Sequence, residues 1–211
     1  MSGVNAFDSN VDRYEQWFVD NPFAYVSELR AVRELLPTSG SGIEIGLGTG
    51  RFAAPLGIRS GIEPSRSMAE LARKKGIEVV PGVAEHLPFM DAEFGFVLMV
   101  TTVCFLDDRD MAFGEVRRVL KPGGSFVIGF VDRDSPLGRE YQTRKDKSAF
   151  YQHATFYTTK DIVAALEKAG FGSFEYRQTL YQPLEGLDEI EPVREGFGEG
   201  SFVVVRGVRE K

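Results

Sequence analysis

The stretch Ile43-Glu-Ile-Gly-Leu-Gly-Thr-Gly50 decides the fold of this chain. It begins as a short apolar run, typical of a buried strand, and then places glycines at positions 46, 48 and 50. Glycines at a strand-to-helix turn let a ligand approach the backbone, and the N–H groups of the following helix face that ligand. In a parallel sheet such a turn lies at the carboxyl ends of the strands, where ligands bind. The stretch predicts a nucleoside-type site, although a tight turn without a ligand shares the pattern.

Short apolar runs alternate with helical segments from this turn onwards, which predicts an α/β fold with a parallel sheet. Two amphipathic segments, Asp8 to Asp20 and Phe23 to Leu36, predict helices before the first strand. Strands are expected over Ile43 to Leu47, Ile58 to Glu63, Ile77 to Pro81, Phe94 to Val100, Ser125 to Val131, Gly172 to Tyr181 and Ser201 to Gly207. Later helices are expected near Arg51 to Leu56 and over Ser65 to Lys75, Asp107 to Leu120 and Thr158 to Ala169.

The last two expected strands are joined by a loop rich in glycine, proline and acidic residues rather than by a helix. Antiparallel strands can be connected without a crossover helix, so these two should pair antiparallel and make the sheet mixed. No internal repeat or second core follows residue 40. A single domain over 1–211 is therefore expected, with a helical cap over 1–40 and a core over 41–211.

Composition narrows the classes of function. The chain has 211 residues, a net charge of -6, one cysteine and two histidines. The acidic balance argues against nucleic acid as a partner, and no apolar run is long enough to span a membrane. One cysteine and two histidines give no metal-ligand cluster, so no metal is expected. Cys104 cannot form an internal disulfide and is interpreted as a small buried hydrophobe, which favours a cytoplasmic location.

A second polar signal lies at the end of the next expected strand. In Gly61-Ile-Glu-Pro-Ser65, Glu63 is placed to accept hydrogen bonds from both hydroxyls of a ribose. Two such signals at consecutive strand ends favour an adenosine-containing ligand, which could be a nicotinamide dinucleotide or S-adenosylmethionine. The dinucleotide pattern needs a glycine at position 51, where this chain has Arg51. Glu44, an unusual carboxylate within a buried strand, is expected to pair with loop N–H groups or with a ligand ammonium.

The ordered set of motifs resembles that of the class I S-adenosylmethionine-dependent methyltransferases, in the branch that methylates small molecules and quinone-type precursors. The motifs are Ile43 to Gly50, Gly61 to Ser65, Gly82-Val-Ala-Glu-His-Leu-Pro-Phe89, Phe94-Gly-Phe-Val97 and Val119-Leu-Lys-Pro-Gly-Gly-Ser125. The resemblance spans most of the chain. It implies a Rossmann-like three-layer sandwich with a seven-stranded, mostly parallel sheet, an antiparallel final strand and two N-terminal helices that cap the cofactor site.

The resemblance also implies the residues that bind the cofactor. Glu44 would contact the methionine moiety, Glu63 would hold the ribose, Ala84 and Glu85 would flank adenine, and Tyr14 would close over the cofactor. The expected cofactor-binding set is Tyr14, Glu44, Gly46, Leu47, Gly48, Thr49, Gly50, Glu63, Pro64, Ala84, Glu85, Val100 and Thr101. The core-facing alternative for Tyr14 stays open.

Three features depart from the family pattern. Val83 stands where an aspartate or asparagine commonly contacts the adenine amine, so backbone groups of Ala84 and Glu85 are expected to read adenine instead. Gly95 replaces the usual acid after Phe94, and Cys104 with Phe105 replaces a frequent histidine pair. Pro55 and Gly57 should end the helix after the glycine turn early.

The expected reaction is transfer of the sulfonium methyl to a small-molecule acceptor by in-line alignment, with S-adenosylhomocysteine as product. No catalytic residue is assigned, and His86 and His153 are base candidates by type alone. The aromatic residues Tyr141, Phe150, Tyr151, Phe156 and Tyr157 are expected to line an acceptor pocket, and they favour an apolar or cationic acceptor. A non-catalytic cofactor-sensing domain and a nicotinamide-dependent oxidoreductase remain alternatives. A monomer or a homodimer is expected.

Overall fold

The computed structural model describes residues 6–210. Two helices come first, α1 (Val11–Asp20) and α2 (Pro22–Leu35), as the two amphipathic segments predict. Pro22 starts α2 because proline lacks the N–H that the first helical turn would leave unpaired, and its fixed φ suits that turn. Both helices therefore precede the first strand of the sheet.

Strands and helices then alternate along the chain. The strands are β1 (Gly42–Ile45), β2 (Ser60–Ile62), β3 (Glu78–Val80), β4 (Phe94–Val100), β5 (Leu120–Val131), β6 (Phe171–Thr179), β7 (Arg194–Glu195) and β8 (Phe202–Arg209). The later helices are α3 (Ala53–Leu56), α4 (Arg66–Lys74), α5 (Arg109–Val119), α6 (Pro136–Thr143) and α7 (Thr159–Lys168). α3 is a single turn that ends at Gly57 in the left-handed conformation, as its sequence predicts. α7 begins with the predicted capping box, in which Thr158 and Asp161 exchange side-chain to backbone hydrogen bonds.

The strands form one mixed sheet in the order β3-β2-β1-β4-β5-β8-β6-β7. The first five strands are parallel, and β8 lies between β5 and β6, antiparallel to both. Within residues 6–210 the sheet has eight strands, so the expected count of seven is corrected. The extra strand, β7, is a two-residue edge pairing with β6 that places Arg177 opposite Glu195. Two residues carry no periodicity, so this pairing leaves no sequence signal.

β5 also begins earlier than predicted, at Leu120 instead of Ser125. Leu120 already pairs with Phe94, and the register then shifts before Ser125 pairs with Phe96. The segment Lys121 to Gly124 between these pairs is an irregular excursion in which Gly123 has φ +77. The motif with proline and two glycines therefore interrupts the strand instead of preceding it.

Helices cover both faces of the sheet and make three layers. On one face, α5 and α7 contribute Phe113, Val116 and Leu166 to a core that they share with Val97 and Ile128. On the other face, α1 to α4 supply a second apolar core, which includes Phe18, Val32, Leu35, Ala53 and Ala72. The predicted Rossmann-like sandwich is confirmed. The division into a cap over 1–40 and a core over 41–211 stays a prediction. Across residues 6–210, no helix combines the length and the apolar character that crossing a bilayer requires.

Candidate functional site

A cavity of about 680 Å³ lies at the carboxyl ends of β1, β2 and β4, beneath α1. Among the predicted cofactor-binding residues, those that line it are Tyr14, Gly46, Gly48, Glu63, Pro64, Ala84, Glu85, Val100 and Thr101. Four predicted residues lie behind the cavity wall: Glu44, Leu47, Thr49 and Gly50. The structure therefore gathers three of the five predicted motifs, 43–50, 61–65 and 82–89, around one opening. It also separates residues that face the cavity from residues that support its wall.

The glycines of the turn have different neighbours. Gly46 has φ +67, and a Cβ there would lie 2.3 Å from Cγ2 of Thr102. Gly48 has φ +55, and its Cβ would lie 2.9 Å from the hydroxyl of Tyr14. Tyr14 therefore lies directly over the turn. Gly50 instead packs towards Ile77, so its role is to let the turn pack on the core.

Glu63 follows β2, and two backbone N–H groups fix its carboxylate. Gly48 N donates to Oε2 at 2.8 Å, and Ser65 N donates to Oε1 at 2.7 Å. Burial raises the pKa of Glu63 to about 7, although these two hydrogen bonds favour the ionised form. A carboxylate held in this way keeps free lone pairs on both oxygens, which can accept hydrogen bonds from two hydroxyls of a ligand.

Glu44 lies within β1 and is 1% exposed. Its Oε2 has no hydrogen-bond partner among the described residues. Burial and the neighbouring charge of Glu63 raise the pKa of Glu44 well above its ordinary value, and the nearby N–H of Ala53 offsets part of this shift. A buried carboxylate oxygen without a donor is costly, so the site has capacity for one more positively charged or N–H group.

The N-terminal segment is tied to the strand ends at two points. Glu15 of α1 accepts hydrogen bonds from Thr49 Oγ1 and from the guanidinium of Arg51. Asp8 accepts hydrogen bonds from Ser65 Oγ at 2.6 Å and from Ser67 N at 3.0 Å, at the start of α4. These contacts hold α1 over the cavity. They also give Thr49 a supporting position and occupy Arg51, the residue that replaces the third glycine of the dinucleotide pattern.

The loop after β3 forms the far end of the cavity. Val83 is 38% exposed there, whereas Ala84 is buried. The carboxylate of Glu85 accepts hydrogen bonds from the backbone N–H groups of Asp107 at 2.9 Å and Asp108 at 3.2 Å. Because this side chain is engaged with the loop before α5, Glu85 can offer a planar ligand its backbone but not a free carboxylate.

Thr101, immediately after β4, has an unusual backbone conformation. Its φ is +51, which is strained for a residue with a branched side chain, and its N–H donates to the carbonyl of Gly129 at 2.8 Å. Next to it, Thr102 donates to the carbonyl of Gly46 at 3.1 Å. The end of β4 is therefore fixed against the glycine turn. No sequence pattern predicts the strained backbone of Thr101.

Aromatic rings form the wall between α1 and the segment after α6. Phe150 stacks on Phe7 with ring centroids 5.1 Å apart, and Tyr141 stacks on Tyr151 at 5.0 Å. Of the predicted wall, Tyr141, Phe150 and Tyr151 line the cavity. Phe156 contacts the rings of Tyr141 and Tyr151 from behind.

Tyr157 does not belong to this wall. The guanidinium of Arg109 lies over its ring, 4.7 Å from the centroid, and the ring packs against the core shared with α5 and α7. The aromatic composition of the segment indicated a wall, but not which rings turn towards the cavity.

Among the residues on the cavity wall that sequence reasoning missed, one is a buried acid. Glu28 of α2 lines the cavity and is 4% exposed. Burial raises the pKa of its carboxyl to about 8. The signal that could have found it is its position in the core-facing stripe of α2, where Ala24, Ala31 and Leu35 are also buried.

The remaining candidate side chains contribute less. His86 lines the cavity at its far end and is exposed, and His153 is also exposed. Burial raises the pKa of the Cys104 thiol to about 12, and its Sγ faces the carbonyl of Thr101 at 3.6 Å. Neither type of side chain is arranged as a catalytic pair within the described structure.

Comparisons with known proteins agree with this geometry. A methyltransferase domain family matches residues 43–128. A solved Thermotoga maritima protein, described as an S-adenosylmethionine-dependent methyltransferase and possible histamine N-methyltransferase, is 53% identical. The match covers 98% of this chain and 99% of that one, with a TM-score of 0.96.

Curated relatives match as well, and two of them illustrate the range. An uncharacterized protein of Methanocaldococcus jannaschii is 42% identical over 202 residues, covering 96% of this chain and 98% of the relative. The malonyl-[acyl-carrier protein] O-methyltransferase of Geobacter sulfurreducens is 30% identical, covering 79% of this chain and 69% of the relative. These likenesses favour methyl transfer over the sensing and nicotinamide alternatives. The chain therefore belongs to the class I S-adenosylmethionine-dependent methyltransferases, enzymes whose methyl donor is S-adenosylmethionine.

Proposed function

We propose that the cavity binds S-adenosylmethionine between the glycine turn and Glu63, and that the enzyme methylates a small molecule held against the aromatic wall. The observation that carries this proposal is the carboxylate of Glu63, fixed by the N–H groups of Gly48 and Ser65. It closes one side of an opening that also contains Gly46 and Tyr14.

The residues fit the cofactor at each of its parts. Glu63 suits the two ribose hydroxyls. Glu44 lies behind the cavity wall with an unpaired Oε2, and its carboxylate would attract the methionine ammonium from there. Pro64 and the backbone of Ala84 and Glu85 would flank adenine, with Val83 in place of a polar contact. The conformation of the glycine turn would be stabilised by Leu47, Thr49 and Gly50. Val100 and Thr101 would line the end of β4 next to the methionine part.

The cofactor supplies an electrophilic methyl, so the main tasks of the protein are to align the acceptor and to exclude water. α1 is suited to excluding water because Glu15 and Asp8 hold it to the strand ends. The aromatic wall formed by Tyr141, Phe150 and Tyr151 is suited to aligning the acceptor. A cavity of about 680 Å³ has the size of a small-molecule site. A cytoplasmic location and a monomeric or homodimeric state stay predictions.

Calorimetric titration tests the cofactor site directly. S-adenosylmethionine and S-adenosylhomocysteine should both bind with one site per chain, and NADH should not bind. Transfer of labelled methyl to a panel of small metabolites then tests turnover. Failure of both adenosyl ligands to bind would overturn the proposed site, and binding without transfer to any small molecule would point to a macromolecular acceptor.

A further inference from the structure

Glu28 is a core-facing residue whose side chain is not apolar. α2 buries Ala24, Ser27, Glu28, Ala31, Val32 and Leu35, which recur at the three- and four-residue spacing of a helix face. A carboxylate in such a stripe normally needs a donor or a cation to offset its loss of water. Within residues 6–210, the Glu28 carboxylate accepts no hydrogen bond and forms no ion pair, yet it is only 4% exposed. Its position is therefore costly in the protein without ligand.

The side chain faces the acceptor end of the cavity. Glu28 lines this cavity together with Trp17, Val131, Tyr141 and Tyr151. Burial raises the pKa values of the Tyr141 and Tyr151 phenols, and the charge of Glu28 adds to both shifts. Glu63 and Pro64, by contrast, lie at the end of β2. Glu28 is thus placed on the side of the cavity that the cofactor motifs do not occupy.

The ionisable residues on the cavity wall are mostly acidic. The wall carries carboxylates from Glu28, Glu63, Glu85, Asp107 and Asp108. Among the described residues that line the cavity, Arg13 is the one permanent cation, and it is exposed at the rim. An anionic acceptor would meet Glu28 without a buried cation to offset it. A cationic acceptor would gain both the carboxylate and the faces of the surrounding rings.

We propose that the acceptor is a small amine with an apolar or aromatic body, and that Glu28 is the residue that selects it by pairing with its ammonium group. This inference rests on the proposed function. The rings of Tyr141 and Tyr151 would hold the body of the amine. When the ammonium gives one proton to the Glu28 carboxylate, a neutral amine and a neutral glutamic acid result, and the nitrogen lone pair becomes free to accept the methyl.

The test begins with the cofactor site, so that the two proposals can fail separately. Wild type and Glu28→Gln are first titrated with S-adenosylhomocysteine and with S-adenosylmethionine. Both should bind the two proteins within about threefold. No binding to the wild type would overturn the proposed function. A tenfold loss of affinity for either ligand in Glu28→Gln would show that Glu28 contributes to cofactor binding, and it would overturn the amine proposal.

The protein saturated with S-adenosylhomocysteine is then titrated with small primary amines and, for each, the alcohol of the same carbon skeleton. The panel includes 2-phenylethylamine with 2-phenylethanol, and 3-phenylpropanoate serves as the anionic probe. At least one amine should bind the wild type tenfold or more tightly than its alcohol, and the anion should bind least. Glu28→Gln should lose this preference while its affinity for the alcohols stays the same.

The matched control is Glu34→Gln. Glu34 lies on the same helix but pairs with Arg177 at the surface, at 2.7 Å, and is half exposed. This variant should keep the wild-type preference for amines, and thermal unfolding should show all three proteins folded. The amine proposal is wrong if no amine in the panel exceeds its alcohol, or if Glu28→Gln keeps the preference.

Discussion

In the proposed complex, the single carboxylate of Glu63 would recognise both hydroxyls of the cofactor ribose. Its oxygens are preset by N–H groups from two different loops, so ligand binding needs no rearrangement of the side chain. A preset acceptor of this kind is worth more than a mobile one because less ordering occurs on binding.

Glu63→Gln should weaken S-adenosylhomocysteine binding at least tenfold, since hydrogen bonds to a charged acceptor are about twice as strong as neutral ones. Glu70→Gln is the matched control, because Glu70 pairs only with Arg66 on the exposed face of α4. Titration calorimetry at constant salt measures both. An unchanged affinity in Glu63→Gln would remove Glu63 from the site.

The pH dependence of cofactor binding follows from the same group. The pKa of Glu63 is raised to about 7, so the fraction of ionised carboxylate grows as pH rises from 6 to 8. Ribose hydroxyls donate to the ionised form, and affinity should therefore rise over this range in the wild type. The slope that belongs to Glu63 should vanish in Glu63→Gln. Equal slopes in the two proteins would show that another group controls binding.

A substitution at Gly48 can distinguish the cost of backbone strain from the loss of ligand contact. Gly48→Ala places a Cβ at φ +55, against the Tyr14 hydroxyl. Gly57→Ala is the control, since it has φ +76 with open space around the new Cβ. Both variants should lose roughly 1–2 kcal/mol of unfolding free energy from the left-handed backbone. Only Gly48→Ala should also weaken S-adenosylhomocysteine binding. If both bind it as the wild type does, the turn does not contact the cofactor.

At the scale of elements, α1 behaves as a cover fastened by side chains. Its contacts with the turn run through Glu15, which bonds both Thr49 and Arg51. Lys75 also donates to the carbonyl of Thr49 at 2.8 Å, so the far side of the turn is held as well. These side-chain contacts link α1 to the turn in addition to the packing of Phe18 in the core.

Glu15→Ala should raise amide hydrogen exchange in α1 and lower the affinity for S-adenosylhomocysteine several-fold. Gln16→Ala is the control, because Gln16 bonds only Asp20 on the exposed side of the same helix. Exchange in β4 should be equal in all three proteins. Faster exchange in β4 of Glu15→Ala would show that the contact supports the core and not the cover alone.

The predictability of these elements follows from where their signals lie. The strands around the glycine turn and the capping box at Thr158 are local patterns, and they were predicted. β7 and the direction of the Tyr157 ring depend on which distant segments meet, which a local pattern does not contain. Glu28 was missed for a different reason. A single carboxylate in an apolar stripe becomes meaningful only once the cavity beside it is known.

For the whole molecule, several buried carboxylates share one cavity, and this links stability to pH. Burial raises the pKa values of Glu28 to about 8 and of Glu63 to about 7, and that of Glu44 lies well above its ordinary value. Between pH 4.5 and these raised pKa values, the folded protein binds more protons than the unfolded chain, so its stability falls as pH rises through this range. The protein without ligand should be less stable at pH 8.5 than at pH 6.

Glu28→Gln should flatten part of this dependence. The variant has no acid at position 28. Its unfolding free energy relative to that of the wild type should therefore rise by up to roughly 4 kcal/mol between pH 5 and pH 8.5. The nearby phenols of Tyr25, Tyr141 and Tyr151 have raised pKa values and stay neutral over this range. Calorimetric unfolding without ligand measures the difference. A gain that is equal at both pH values would show that Glu28 is ionised throughout.

The placement of β8 has a consequence for how the chain folds during synthesis. β5 pairs with β4 on one side, but its other side is covered only by β8, whose residues 202–209 emerge from the ribosome much later. Until then an apolar strand edge is open to wrong partners. The parallel half of the sheet, up to the pairing of β4 with β5, can assemble early, whereas the other edge of β5 and the pairing of β6 depend on β8. A nascent chain that stalls before residue 202 therefore leaves this edge of β5 unpaired.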